Sequence, residues 1–380
     1  MIEKIKLLIK TEFGIEAVTK RELKTLGYNI INTDNGRITI EATIKDIAVT
    51  NIKLRTAERV LILNNQFKAF TFEHLFQGTK AVTWEKWLVP SGRFVVKGRS
   101  KNSKLHSVPS CQSIIKKAII ERLSSVYRRT RFPENGPEYV IDFFIEKDIV
   151  TLALDTSGAG LHKRGYRQTS GVAPLKETLA ASMVLLSYWR PHRLLLDPMC
   201  GSGTIAIEAA MVGRNIPPGL NRKFAAESWG TIDQDLWQQV RSEALAEINH
   251  DLKLKIKASD INSQLIEIAK ENADQAGVAA DIVFTTGDIA DIDDLEEYEI
   301  LITNPPYGER IGSDAELEQI EYTLKELMFQ HRTWSFYIVT ADPNFEKTVN
   351  RKADRKRKLY NGRIKVDYYQ FYGPRPVSNT

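Results

Sequence analysis

The chain has 380 residues, 42% hydrophobic and 27% charged, a globular mix that excludes a disordered or collagen-like polymer. No run approaches the roughly 18 apolar residues of a membrane span, and the start lacks an apolar core with a small-residue cleavage site, so no secretory leader is expected. The net charge of +5 is unevenly divided: residues 1–170 hold 29 Lys/Arg against 17 Asp/Glu, a net +12, and residues 171–380 hold 24 against 31, a net −7.

At roughly 150 residues per domain the length predicts two or three domains. The pattern opens with a strand over 5–9, a helix over 15–26 and a hairpin about Asn35-Gly36, the dipeptide favoured in two-residue turns. A helix over 44–54, a strand over 59–64, a helical stretch over 72–87 and a strand over 93–97 follow. Residues 110–127 carry Ile114, Ile115, Ala118, Ile119 and Leu123 at helical spacing. Strands over 138–146 and 149–155 close a half that reads as small α+β modules. Between Lys86 and Arg131 twelve Lys/Arg face a single acid, Glu121. That excess suits a polyanion, because neutralised phosphates supply most non-specific nucleic-acid affinity; it would equally suit a solvated basic face. Lys97, Arg99, Lys101, Lys104, Lys116 and Lys117 are the candidate RNA-binding side chains. Residues 156–171, with four glycines, read as a linker.

Beyond it, strands alternate with helices, which predicts a doubly wound sheet. Strands are expected over 194–197, 255–260, 281–286, 299–303 and 335–341, helices over 205–212, 263–276 and 315–329, and a last hairpin about Asn361-Gly362. Residues 213–251, with Trp229 and Trp237, read as an inserted helical element. The basic run 351–358 reads either as an extension of an RNA track or as a solvated loop. Two cysteines, Cys111 and Cys200, predict no disulfide framework and fit a reducing cytoplasm. Six scattered histidines predict no metal.

The chemistry concentrates at the ends of the predicted parallel strands. Pro198-Met199-Cys200-Gly201-Ser202-Gly203-Thr204 is a glycine turn between strand and helix, which lets a ligand approach the backbone. It lacks the Gly-Lys-Ser/Thr ending of a phosphate loop. Asp260 ends the next strand and could accept from two ribose hydroxyls, or cap the helix that follows. Asp288 could meet the amino group of an adenine, or be an ordinary turn aspartate. Asn304-Pro305-Pro306-Tyr307 follows the fourth strand: the asparagine oxygen and a proline-flanked carbonyl can hold an exocyclic amine, and the tyrosine gives the base a face to stack on. Transfer of an electrophilic methyl to such an amine needs positioning and local electrostatics rather than an acid, a base or a metal.

Four strings in this order, Leu161-His162-Lys163-Arg164-Gly165-Tyr166-Arg167, Ala173-Pro174-Leu175-Lys176-Glu177-Thr178-Leu179-Ala180, Asp197 to Thr204, and Asn304-Pro305-Pro306-Tyr307-Gly308-Glu309-Arg310, resemble the class I S-adenosylmethionine-dependent RNA methyltransferases that carry a THUMP domain. The likeness is to the guanine-N2 half of the bifunctional bacterial 23S rRNA enzyme and covers nearly the whole chain. That enzyme carries a second methyltransferase half, which these 380 residues lack, and the target nucleotide is therefore open.

The resemblance implies a ferredoxin-like part over 1–60, a THUMP-like region over 44–155, and a seven-stranded Rossmann-like methyltransferase domain over 172–380. It implies S-adenosylmethionine as cofactor, bound by Ala173, Pro174, Leu175, Lys176, Asp197, Pro198, Cys200, Gly201, Ser202, Gly203, Thr204, Asp260, Ile261, Asp288, Ile289 and Asn304. Asn304, Pro305, Pro306 and Tyr307 would form the catalytic segment. The implied partner is structured RNA, 23S rRNA or a large-subunit precursor, with the target guanine swung out of its stack. The same turn serves tRNA guanine-N2, nucleic-acid adenine-N6 and release-factor glutamine methylation, and a non-catalytic RNA-binding assembly factor is the reading from another class.

Overall fold

The computed structural model describes residues 3–167, 175–292, 296–306, 314–362 and 364–375. The chain runs β1 (Ile5–Thr11), α1 (Glu16–Thr25), β2 (Ile30–Asp34), β3 (Arg37–Ala42), α2 (Ile44–Lys53), β4 (Ala57–Lys68), α3 (Phe72–Lys80), β5 (Arg93–Lys101), α4 (Val108–Tyr127), β6 (Glu138–Glu146) and β7 (Ile149–Asp155). It continues through α5 (Glu177–Leu186), β8 (Leu195–Asp197), α6 (Thr204–Gly213), α7 (Gln234–Ala246), β9 (Ile256–Asp260), α8 (Ser263–Gln275) and β10 (Ile282–Thr286). The last elements are β11 (Ile300–Thr303), α9 (Asp314–Gln330), β12 (Ser335–Thr340), α10 (Phe345–Thr348), β13 (Arg355–Asn361) and β14 (Ile364–Phe371). Among the described residues no helix is long and apolar enough to cross a membrane.

Two compact units emerge. The first holds Met1–Thr11, Glu22–Leu161 and Arg222–Glu243; the second holds Glu12–Arg21, His162–Asn221 and Ala244–Thr380. The strands of the first unit form one seven-stranded sheet in the order β2-β3-β1-β4-β7-β6-β5, not a separate sheet for each module. The twelve-residue β4 makes this continuity: its first half pairs with β1 and its second with β7. The period of two along each strand gives the sheet an apolar side built from Leu7, Ile9, Ile38, Ile40, Val60 and Ile62, and further along from Tyr139, Ile141, Phe143 and Ile145. The helical stretch expected over 72–87 breaks after Lys80 into a short turn, Trp84–Lys86, because the Trp84 indole folds back to donate to the Thr79 carbonyl at 2.8 Å.

In the second unit the sheet order is β10-β9-β8-β11-β12-β14-β13. The first five strands are parallel and β14 lies antiparallel to β12. The order reverses between β8 and β11, which opens a crevice outside their carboxyl ends. Beneath it α6 is buried over residues 204–211, all round, with Ala206, Ala209 and Ala210 permitting close packing. Ile15 and Val18, from the start of the chain, belong to this same core.

The inserted element does not extend the second unit's sheet. Residues 222–243 group with the first unit, where Trp229 is fully buried with its ring 4.9 Å from that of Tyr139. The presumed linker is packed at its start: Thr156 and Ser157 are fully buried, and Asn51 donates to Thr156 at 2.9 Å. Trp229→Ala is expected to destabilise the first unit by about 3–5 kcal/mol, the range for truncating a buried large aromatic. Urea unfolding followed by amide exchange in β6 would check it.

Candidate active site

The carboxyl ends of β8, β9, β10 and β11 are stitched together by hydrogen bonds. The Cys200 amide donates to the Ser259 carbonyl at 2.9 Å, and the Gly201 amide to the Asp260 carboxylate, also at 2.9 Å. The Gly287 amide donates to the Asp260 carbonyl at 3.2 Å, and the Thr303 hydroxyl to the Asp197 carboxylate at 3.0 Å. Gly201 and Gly203 have φ of +55° and +81°, a region that side chains other than glycine rarely enter. The two glycines differ in purpose. A Cβ on Gly203 would lie 3.0 Å from the Ala269 methyl and 3.3 Å from the Phe284 ring, so this glycine lets α6 pack. A Cβ on Gly201 would meet nothing within 4 Å, so the turn stays open there for a ligand.

Asp197 is 1% exposed, and its second carboxylate oxygen has no partner. Burial pushes its carboxyl up to about 7, with the Thr303 hydroxyl opposing. Asp260 also accepts from the Asn262 amide at 3.0 Å, and α8 is capped by Asn262 rather than by Asp260. Asp288 caps the short turn Ile289–Asp291, accepting from the Ala290 amide at 2.9 Å. Beside them Ile289 is buried, whereas Ile261 is 73% exposed at the same edge. Asn304 follows β11, and its side-chain oxygen is buried without a partner. Pro305 and Pro306 continue from it. Pro198 and Ser202 flank the turn, and the Ser202 carbonyl accepts from Asn272 at 3.1 Å. Leu175 is buried, and Lys176, at the N-cap of α5, pairs with Glu12. Ala173, Pro174 and Tyr307 lie outside the described residues.

A buried charged network, which pattern reading missed, supports this edge. Glu208 on α6 accepts from Arg164 at 3.3 Å and from the Tyr166 hydroxyl at 3.2 Å. Burial works against the Arg164 charge, but Glu208 more than offsets it and holds the guanidinium above its ordinary range. Arg167 donates to the Thr204 hydroxyl at 2.6 Å and to the Leu175 carbonyl at 3.1 Å, and pairs with Glu177 at 3.4 Å. It thereby joins the first residues of α5 and α6. The available signal was Glu208 four residues beyond Thr204, on the same helix face.

The six candidate RNA-binding cations divide into two groups. Lys97, Arg99 and Lys101 alternate along β5, an edge strand, all exposed, with Lys104 in the connection that follows. Lys116 and Lys117 lie on α4, where Lys116 is paired with Glu134 at 2.9 Å and Lys117 sits 5.8 Å from the Phe76 ring. The basic run near the C-terminus is not a loop before the hairpin: Arg355 to Lys358 belong to β13, where Lys356 pairs with Asp367 at 3.2 Å. Among the described residues no group of three His, Cys, Asp or Glu could hold a metal ion.

Comparison with known proteins supplies independent findings. Residues 164–370 match the family described as "RMKL-like, methyltransferase domain", residues 6–61 the RlmL ferredoxin-like domain, and residues 69–155 the THUMP domain. The chain is 44% identical over 373 residues to the Bacillus subtilis (strain 168) protein named "Putative RNA methyltransferase YpsC", covering 98% of this chain and 97% of that one. Among solved structures it is similar to SMU.472, a putative methyltransferase complexed with SAH, at 42% identity and a TM-score of 0.93, covering 99% and 100% of the two chains. A structure named as a "predicted N6-adenine-specific DNA methylase" from Listeria monocytogenes str. 4b F2365 matches at 44% identity and a TM-score of 0.93, covering 98% and 97%.

Two outcomes follow from the buried charges. Glu208→Ala removes the carboxylate paired with the buried Arg164, so a loss of about 3–5 kcal/mol is expected in calorimetric unfolding of the second unit. Asp197, raised from 3.8 to about 7, keeps a proton in the folded chain that the unfolded chain releases. The stability tied to that proton is full below pH 3.8 and is lost as pH rises toward 7. Asp197→Asn is therefore expected to flatten this part of the stability profile and to raise ligand-free stability at pH 8, read by thermal melts across the pH range.

Proposed function

The chain belongs to the RMKL-like methyltransferase family, with RlmL ferredoxin-like and THUMP domains, and on that premise we propose that it methylates the exocyclic N2 amine of a guanine in 23S rRNA. In its coarser part the reading is plain: the chain is an RNA methyltransferase whose cofactor is S-adenosylmethionine. The guanine, the 23S molecule and a cytoplasmic setting are the proposal. The observation that carries an exocyclic amine as the target is the buried, unpartnered oxygen of Asn304 at the end of β11. A buried acceptor left without a donor costs about 1–3 kcal/mol, and an amine N–H of the target base would satisfy it.

The donor set fits the cofactor. Gly201 leaves open space against the backbone, Asp260 is held as an acceptor by two amides, and Asp197 presents an unsatisfied oxygen. These groups would hold the cofactor, with Leu175, Lys176, Cys200, Ser202, Thr204, Ile261, Asp288 and Ile289 around them; bound there, it supplies a sulfonium-activated methyl. The chain's own residues then act on the base. Asn304 accepts one amine N–H and the Pro305 carbonyl another, which turns the nitrogen lone pair out of conjugation with the ring. Tyr307 offers an aromatic face to the base. A basic first unit would hold structured RNA by shape and phosphate.

A second reading has one specific support, the adenine-N6 name of the Listeria relative; the Asn304 acceptor suits either amine. Mass mapping of modified nucleosides in rRNA and tRNA from cells lacking the protein separates them. Loss of N2-methylguanosine from one 23S site is expected, whereas loss of N6-methyladenosine, or of a tRNA modification, overturns the guanine or the 23S assignment. Asn304→Ala is expected to lower the single-turnover methylation rate, measured at saturating cofactor, about 100-fold or more, as removal of one preorganised polar contact does.

A further inference from the structure

Three segments of the first unit meet at one end of its sheet: the connection from β4 to α3, the connection from β5 to α4, and the β6–β7 turn. Asp148 ties them. The Ala69 amide donates to the Asp148 carbonyl at 2.9 Å, the Lys104 amide to the Asp148 carboxylate at 2.7 Å, and the Asp148 amide to the Ser103 hydroxyl at 3.0 Å. The carboxylate is thus committed to the backbone.

On this scaffold two phenylalanines face solvent. Phe70 is 43% exposed and Phe72 is 40% exposed, and Ile149 beside them is 43% exposed. The Lys104 ammonium lies 5.1 Å from the centre of the Phe70 ring, and His74 meets the ring edge-on at 6.3 Å. Lys68 and Lys101, the last residues of β4 and β5, and Lys147 in the β6–β7 turn are exposed. Glu73, the acid nearest Phe72 in sequence, accepts from Gln77 at 2.6 Å. Exposed rings interleaved with lysines form a surface that suits both faces of a nucleotide: the ring takes the base and the ammonium takes the phosphate. A base inside a duplex has both faces covered by its stacked neighbours, so the ring selects for unpaired, unstacked nucleotides.

We propose that this cluster is a stacking platform for unpaired nucleotides of the RNA substrate, with Phe70 carrying a base and Lys104 its phosphate. The proposal rests on the RNA reading above and adds to it the class of RNA element recognised. Of the α4 cations, Lys117 sits 5.8 Å from the Phe76 ring, one helical turn beyond Phe72 on α3.

The test measures binding of the full chain to two fluorescent probes, a 12-nucleotide single-stranded RNA and a blunt 12-base-pair RNA duplex of the same sequence. Phe70→Leu keeps an apolar side chain and removes the ring. It is expected to weaken single-strand binding at least about 5-fold, the lower end of what one stacked base contributes, and to leave duplex binding within 2-fold. Phe70→Tyr retains a ring and is expected to bind like wild type. Lys104→Ala is expected to reduce the single-strand salt slope by about 0.7. If Phe70→Leu binds the single strand like wild type, or loses both probes equally, the platform is overturned while the RNA reading stands. If the wild-type chain does not bind the single strand, the platform is likewise overturned.

Discussion

The hydrogen bond from the Gly201 amide to the Asp260 carboxylate is the contact on which the rest of the site depends. The two left-handed residues of the turn, Gly201 and Gly203, bring no side chains to hold its shape. Its geometry must come from neighbours, and the neighbouring strand end supplies it. Asp260 is fixed in turn by the Asn262 amide, and its own carbonyl receives the Gly287 amide. Asp260 therefore transmits the position of β9 to the turn after β8 through its carboxylate and to the start of the loop after β10 through its carbonyl. The charged network behind α6 does the same from the other side, through Arg167 and Thr204.

Such an edge is held at a cost. Asp197 and Asn304 each bury an oxygen without a partner, next to strands whose Leu195, Leu196, Ile300, Leu301 and Ile302 are buried. Buried polar atoms are rarely left so in a settled core. Here they sit at the switch point of a doubly wound sheet, where strand order reverses and the backbone leaves a crevice. The unfavourable placement and the topological opening coincide, and a folded core as large as this one can sustain both.

Much of this was legible in the sequence. Short apolar runs alternating with helical periods specify the second unit's sheet, because strands buried on both faces and helices wrapped around them leave little else for the chain to do. The ends of those strands carry Asp197, Asp260, Asp288 and Asn304, and a residue at a strand end can be placed without knowing any contact. What escaped were facts that depend on distant packing. Trp229 reads as part of an insertion in the second half, yet its partner is Tyr139, some ninety residues earlier. The continuity of the first sheet hides in β4, whose length shows in no local pattern. Arg164 and Glu208 look like ordinary surface charges until the fold buries both. The alternative role of Asp260, a helix cap, falls to Asn262, two residues on.

The exchange of segments between the units has a consequence for how this chain can be divided or inherited. Residues 12–21 supply Ile15 and Val18 to the core of the second unit, and residues 222–243 supply Trp229 to the first. No single cut of the backbone yields either unit whole. A protease acting between them would leave one with a hole in its core and the other with an orphaned helix. Gene fission or recombination would meet the same obstacle, so the two units are bound to travel together by their interiors as well as by their connecting chain.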